Sequence, residues 1–392
     1  MTYRRDGFTW TAFGALFAFG YLNAVLGPAL PYLRSVEGIS YLVAALHQAA
    51  FAIGGGIAGT VSARDTLPFG RRTAVAAGLT GAGLAALAVG YGDAAPITIA
   101  GALLMGMLAT LALIRVWAAL ADAHGPRRAV AMSEGEMAVS LAGIATPLLI
   151  GALAGSGATW RLALAIGAAT AVLAVIGVLR ADVPAPRAAT REHPPKARIQ
   201  PTLVIVFAIV ALEFALSFWL ASYLNDDVGL VRHAAVALVS VLYAANLAGR
   251  LLASRFARAH PPERLLVAAL GSVLAGLPCL LVATSVGAAV AGIVLTGAGI
   301  AALFPLTSSL HVQASGHTAD SALGEILTVA ALGQIAGPLL AGAIAQASSL
   351  RAGLLVLPAL TLLAAAGLTA HRRHTAGGQV AKRSPRGLPD RL

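Results

Sequence analysis

Glu213 stands in the run Ala211-Leu212-Glu213-Phe214-Ala215, with no charged residue within ten positions on either side. A charged side chain at the centre of a bilayer costs at least about 2.5 to 3.5 kcal/mol, so a carboxyl in such a run faces a cavity or a partner. Taking up and releasing a proton, or pairing with a cationic ligand, both suit it; a structural hydrogen bond to a neighbouring segment is the alternative. His47 adds a second group that titrates near neutral pH. Asn23, Gln48, Tyr243, Asn246, Gln334 and Arg115 are further polar residues inside apolar runs, and each either lines a cavity or ties two segments together. Arg250 lies about six residues from the end of its run, near enough to snorkel to the surface. If Arg115 and Arg250 both faced a cavity, an organic anion would be the better ligand. Trp219 falls near a segment end, where an interfacial belt explains it equally well.

Other chemistries lack their residues. Gly54-Gly55-Gly56 lies inside an apolar run with no strand before it, so it is a packing feature and not a phosphate loop. The sequence carries no Walker lysine, metal-ligand spacing or nucleophile elbow, and Cys279 is its one cysteine. The expectation is a non-enzyme without cofactor or metal.

The elements that position these residues are set by composition. Of 392 residues, 58% are hydrophobic and 11% charged, and mean hydropathy is +0.82. Soluble domains carry about 25% charged residues. Charges and turn residues divide the chain into twelve apolar segments, near 9–33, 41–63, 73–91, 96–121, 131–154, 159–180, 202–224, 233–256, 264–285, 288–313, 321–346 and 351–371. Each is long enough for a membrane-spanning helix, and none alternates with period two. The first, preceded by Arg4 and Arg5, is too long for a signal-peptide core and reads as a span. The predicted fold class is all-α integral membrane, with twelve transmembrane helices.

The net charge of +11 is unevenly placed. Of the 27 Lys and Arg residues, 21 fall in one alternate set of loops and tails; Arg34, Arg161, Arg232 and Arg351 fall in the other, and Arg115 and Arg250 lie within helices. Positive loops stay in the cytoplasm, which predicts both termini inside. The basic charge then meets anionic lipid and not nucleic acid. The Arg-dominated, Ala-rich composition points to a bacterial inner membrane.

A shift of 191 residues superposes 131–154 on 322–345 with 11 of 24 positions identical, among them Glu134 on Glu325, Pro147 on Pro338 and Gly151 on Gly342. Gly101 and Gly106 fall on Gly292 and Gly297 by the same shift. The chain therefore reads as two six-helix repeats, 1–180 and 202–371, joined by a Pro- and Arg-rich linker, 181–201. A basic tail follows at 372–392, either solvated or in contact with lipid.

These features resemble the major facilitator superfamily over about 360 residues. Gly333-x-x-x-Gly337-Pro338-x-x-Ala341-Gly342 looks like its Gly-Pro helix signature, with a weaker copy at Ala142-x-x-x-Thr146-Pro147-x-x-Ile150-Gly151. Asp65 with Gly70-Arg71-Arg72 resembles its loop signature, though four residues separate Asp from Gly in place of two. The resemblance implies a secondary transporter that moves a small organic solute by alternating access, with its substrate near the midplane between the halves.

Proton coupling through Glu213 and efflux are the favoured details, with an uptake permease, a uniporter, or a non-transporting sensor as alternatives; protons, the solute and the bilayer are the expected partners of a monomer. Glu134 and Glu325 occupy the first turns of their helices, where the macrodipole favours carboxylates. They are expected to gate the inner face, Glu325 with Arg71 or Arg72 and Glu134 with Arg255 or Arg264; helix capping without gating is the alternative.

Overall fold

The computed structural model describes residues 4–64, 70–184, 200–315 and 319–383. Asp65, most of the linker and the last nine residues of the tail lie outside these. The described residues form helices and no strand. The first predicted segment is two helices, α1 (Gly7–Ala24) and α2 (Leu26–Glu37), bent by 40°. Pro28 causes the break: it has no N–H to donate to the Ala24 carbonyl, and its ring crowds that carbonyl. The N-terminal half continues with α3 (Tyr41–Arg64), α4 (Arg71–Tyr91), α5 (Ala95–His124), α6 (Arg128–Gly155) and α7 (Arg161–Arg180). The C-terminal half comprises α8 (Pro201–Asp226), α9 (Arg232–Phe256), α10 (Pro262–Leu281), α11 (Val286–Ser315) and α12 (Ala319–Ala347). The one-turn α13 (Leu350–Gly353) and α14 (Val356–Arg383) complete it. Among the described residues eleven helices are long and apolar enough to cross a membrane, and α1 with α2, taken as one bent span, makes twelve. The last helix ends at Arg383 and not near 371.

The internal repeat is visible in the packing. A Cβ on Gly101 would lie 3.1 Å from the Val89 side chain, and one on its counterpart Gly292 would lie 2.8 Å from the side chain of Leu280, the counterpart of Val89. Small residues at these points let the backbones of neighbouring helices approach closely, which replaces the missing hydrophobic drive between helices in lipid. Each half also ties its first span to its fourth at the end that bears the termini. Thr9 Oγ1 lies 2.9 Å from His124 Nε2, and Thr202 Oγ1 lies 2.7 Å from His311 Nδ1. Asp6 caps α1 by accepting from the Thr9 amide and hydroxyl at 2.8 and 2.6 Å. Partial burial opposes its charge, but these bonds and the charge of His124 hold the carboxyl below its usual range.

The halves meet at the end opposite the termini. The main apolar core runs without interruption from Tyr21, Leu30 and Ala45 into Phe218, Trp219 and Ala341. The termini end of the N-terminal half has a separate core around Leu16, Leu79 and Leu120. Polar contacts also join the halves at this end. Asp226 of α8 accepts from Arg34 Nη1 of α2 at 3.0 Å and from the Tyr41 hydroxyl of α3 at 2.9 Å, while the Arg34 guanidinium stacks 3.7 Å above the Tyr41 ring. The Tyr41 amide donates to Gln346 Oε1 of α12 at 3.1 Å. Nearby, Asp227 is pushed above the usual carboxylate range by burial, which outweighs the pull of Arg351.

Candidate functional site

Glu213 lies twelve residues from the start of α8, about 18 Å along the helix axis and at its midpoint. The break between α1 and α2 comes to the same depth. Between them lies a pocket of about 50 Å³, room for a few water molecules. Both halves wall it: Asn23 closes α1, Gln48 comes from α3, Glu213 and Ser217 from α8, and Tyr243 and Asn246 from α9, with the Phe214 and Phe218 rings beside them.

Five of the predicted residues are thus brought together: Glu213, Asn23, Gln48, Tyr243 and Asn246. The Glu213 carboxyl makes no hydrogen bond to the protein among the described residues, and it is open to the pocket. Asn246 is 92% buried, yet its Oδ1 has no partner among the described residues. Burying an amide oxygen without a hydrogen bond costs about 1 to 3 kcal/mol, which marks this atom as one that a ligand or water satisfies. The arrangement offers one carboxyl, three amides and two hydroxyls to a small polar solute, with two rings for its apolar face.

Three predicted cavity residues lie elsewhere. His47 is fully buried, with Nε2 2.9 Å from Thr98 Oγ1 of α5 and Nδ1 3.2 Å from the Ala44 carbonyl. One residue along a helix is a rotation of about 100°, so Gln48 takes the pocket face and His47 the face toward α5. Gln334 on α12 and Arg115 on α5 are partly buried and do not line the pocket. Trp219 belongs to no interfacial belt: it is fully buried, and its Nε1 donates to the Pro338 carbonyl at 3.0 Å.

The expected rim pairs are not formed among the described residues, and the partners seen for each carboxylate lie in its own half. Glu134 accepts from Arg5 at 2.9 and 2.7 Å, and Glu325 Oε2 lies 3.0 Å from His311 Nε2. Arg71 pairs with Asp122 at 3.0 Å and donates to the Pro184 carbonyl, and Arg72 donates to the Ala181 carbonyl at 2.6 Å. Arg255 and Arg264 are exposed and make no ion pair among the described residues. The physical reason is the seal at the far end, which brings the halves together there and leaves the rim carboxylates to partners within reach. The glycines of the predicted packing motif lie at close helix contacts: a Cβ on Gly337 would meet the Ala211 carbonyl oxygen, Gly342 faces Trp219 and Tyr41, and Gly151 faces the His233 carbonyl across the halves. Pro147 and Pro338 are buried within α6 and α12.

Sequence reasoning missed Ser217, one turn from Glu213, and Glu136, whose carboxylate receives Arg250 Nη1 at 3.2 Å. The spacing of four from Glu213 would have found the serine. For Glu136 the signal was its place seven residues before Gly143, on the α6 face that touches α9.

A profile of the Major Facilitator Superfamily matches residues 12–324 and 203–389. No curated protein sequence is similar enough to match. Among solved structures, a variant of the nucleoside transporter NupG superposes with a TM-score of 0.75 at 11% identity, covering 94% of this chain and 99% of its own. The human organic anion transporter MFSD10 gives 0.69 at 16%, covering 94% and 100%, and the xylose transporter XylE from E. coli, partially occluded and inward open, gives 0.68 at 14%, covering 98% and 99%.

Proposed function

As the chain belongs to the major facilitator superfamily of membrane transporters, we propose that it carries a small neutral-polar or cationic organic solute by alternating access, coupled to protons through Glu213. The observation that carries this reading is the unpartnered Glu213 carboxyl, held in a pocket that both halves wall. A carboxyl so placed is neutralised by a proton, by a cationic solute or by a neighbouring cation of the protein, and the first two change the charge that must cross with the solute. The amides of Asn23, Gln48 and Asn246 supply the polar contacts, and Arg115 and Gln334 are left as structural residues. The halves, residues 1–180 and 202–371, move as units about the pocket.

The arginine bias supports a cytoplasmic location for the termini end, and the Arg-dominated, Ala-rich composition supports a bacterial inner membrane. The seal at Arg34, Tyr41 and Asp226 then closes the outer face, and this conformation corresponds to the inward-facing state. The rim residues Glu134, Glu325, Arg71, Arg72, Arg255 and Arg264 change partners when the inner face closes. The protein acts as a monomer.

The test is proton movement in reconstituted vesicles across a panel of cationic and neutral polar solutes. Solute-driven pH change in the wild type that is lost in Glu213→Gln supports the reading, and its sign gives import or efflux. Solute flux that continues in the variant, with no proton movement in either protein, would make Glu213 a structural residue and the chain a uniporter.

A further inference from the structure

Arg250 stands between two carboxylates that serve different ends. Tyr243, Asn246 and Arg250 follow one another on α9 at spacings of three and four, so they share a face. The first two line the pocket beside Glu213. Arg250 lies one turn, about 6 Å, nearer the termini. Its guanidinium reaches across the halves to Glu136 of α6 at 3.2 Å, both side chains being about half exposed at 43% and 50%. Glu136 and Gly143 share a face of α6, and a Cβ on Gly143 would lie 2.8 Å from the Tyr243 ring. The two helices therefore meet along the pocket stripe of α9.

The charges of Arg250 and Glu136 both act on Glu213. The other elements packed on α9 bring no competing charge among the described residues. From α11 come small contacts, Ala298 on Gly249 and Gly297 on Ala245. The titratable side chain of α11, His311, is engaged with Thr202 and Glu325. The nearest charged groups of α2 are Arg34, held by Asp226 at the far end, and Glu37 at the helix terminus beyond it.

We propose that Arg250 couples proton binding to the contact between the halves by exchanging partners. It pairs with Glu136 while Glu213 holds a proton, and with Glu213 once that proton has passed to pocket water. An ionised carboxylate in the pocket has Arg250, one turn along the pocket stripe of α9, as a cation whose charge acts on it, whereas Glu136, half exposed, is solvated at small cost when released. The contact between α6 and α9 is thus strong when Glu213 is protonated and weak when it is ionised. By reciprocity, whatever draws these helices together favours the proton. This rests on the reading of Glu213 as the proton site.

The experiment places spin labels at Ser133 of α6 and Ser254 of α9, both exposed, in protein whose one cysteine, Cys279, is replaced by serine, and measures their separation in liposomes against pH. The wild type is expected to shift between two distances with pH, and Glu213→Gln to stay at the low-pH distance throughout. Arg250→Lys, which keeps the charge, should retain the transition, and Arg250→Gln should abolish it. In flux measurements, Glu136→Gln leaves Arg250 to Glu213 alone, which moves the midpoint of coupled transport toward acid by about one pH unit or more.

A Glu213→Gln protein whose distance titrates like the wild type, or a Glu136→Gln protein with the wild-type midpoint, would overturn the exchange. If no solute moves protons in the wild type, the proton reading of Glu213 fails. The label distances still decide whether Arg250 changes partners, since they require only folded protein.

Discussion

Asn246 shows how a single side chain can be costly to the resting protein and useful to the working one. Its Oδ1 is buried without a partner, and removing such an atom regains about 1 to 3 kcal/mol of desolvation. Asn246→Leu is therefore expected to raise the thermal unfolding temperature of the empty protein. The same substitution should weaken solute binding about tenfold, read by titration of the purified carrier, because a lost hydrogen bond of about 1.4 kcal/mol is a factor of ten. A variant less stable than the wild type with unchanged affinity would show that Oδ1 is satisfied within the protein. At this scale the sequence was legible wherever polarity conflicted with lipid: Glu213, Asn23, Gln48, Tyr243 and Asn246 all reach one pocket. It was silent about partners. His47 and Gln48 are equally improbable in a membrane, and only the helix that packs beside them, with Thr98 on one face, separates a structural histidine from a pocket glutamine.

The helices themselves were readable because a span of about 20 apolar residues has few alternative folds in lipid. The predicted segments and the observed helices differ at most ends by a few residues. The bend after Ala24 follows from Pro28, a residue plain in the sequence, but its consequence, that Asn23 becomes the end of a helix facing a pocket, needs the neighbouring helices. Glycines divide in the same manner. Gly337 lies against the Ala211 carbonyl, whereas Gly56 has open space where a Cβ would go. Gly337→Ala should destabilise the protein by about 1 to 3 kcal/mol, the usual cost of overpacking. Gly56→Ala should stabilise it by up to about 1 kcal/mol through helix propensity. Thermal unfolding of the two variants in one detergent checks the contrast; equal transitions would mean that α12 shifts away from α8 without penalty.

For the whole molecule the decisive feature is the seal at the far end, where Asp226 receives both Arg34 and Tyr41. The carboxylate and the guanidinium are about 30% and 20% exposed, so their attraction is only partly screened. Asp226→Ala should shift the balance toward the outward-open state about tenfold, the effect of about 1.4 kcal/mol. Spin labels at Ser35 and Val231, exposed on either side of the seal, would report this as a growing population at longer distance. An unchanged distribution would assign closure to the apolar core alone. The sequence could not supply this contact, because residues 34 and 226 belong to different repeats and neither is unusual for a loop end.

The threonine–histidine ties at the termini end also bear on how the two halves correspond. The repeat offset maps Thr9 onto Gln200 and His124 onto Ser315, while the partners in the second half, Thr202 and His311, map back onto Thr11 and Leu120. Thr11 instead donates to the Gly7 carbonyl, and Leu120 is buried in the local core. Even the ring nitrogens differ, Nε2 in one half and Nδ1 in the other. The two joints therefore use residue pairs that the repeat offset does not superpose. The two halves thus share the position of the fastening and not the residues that make it.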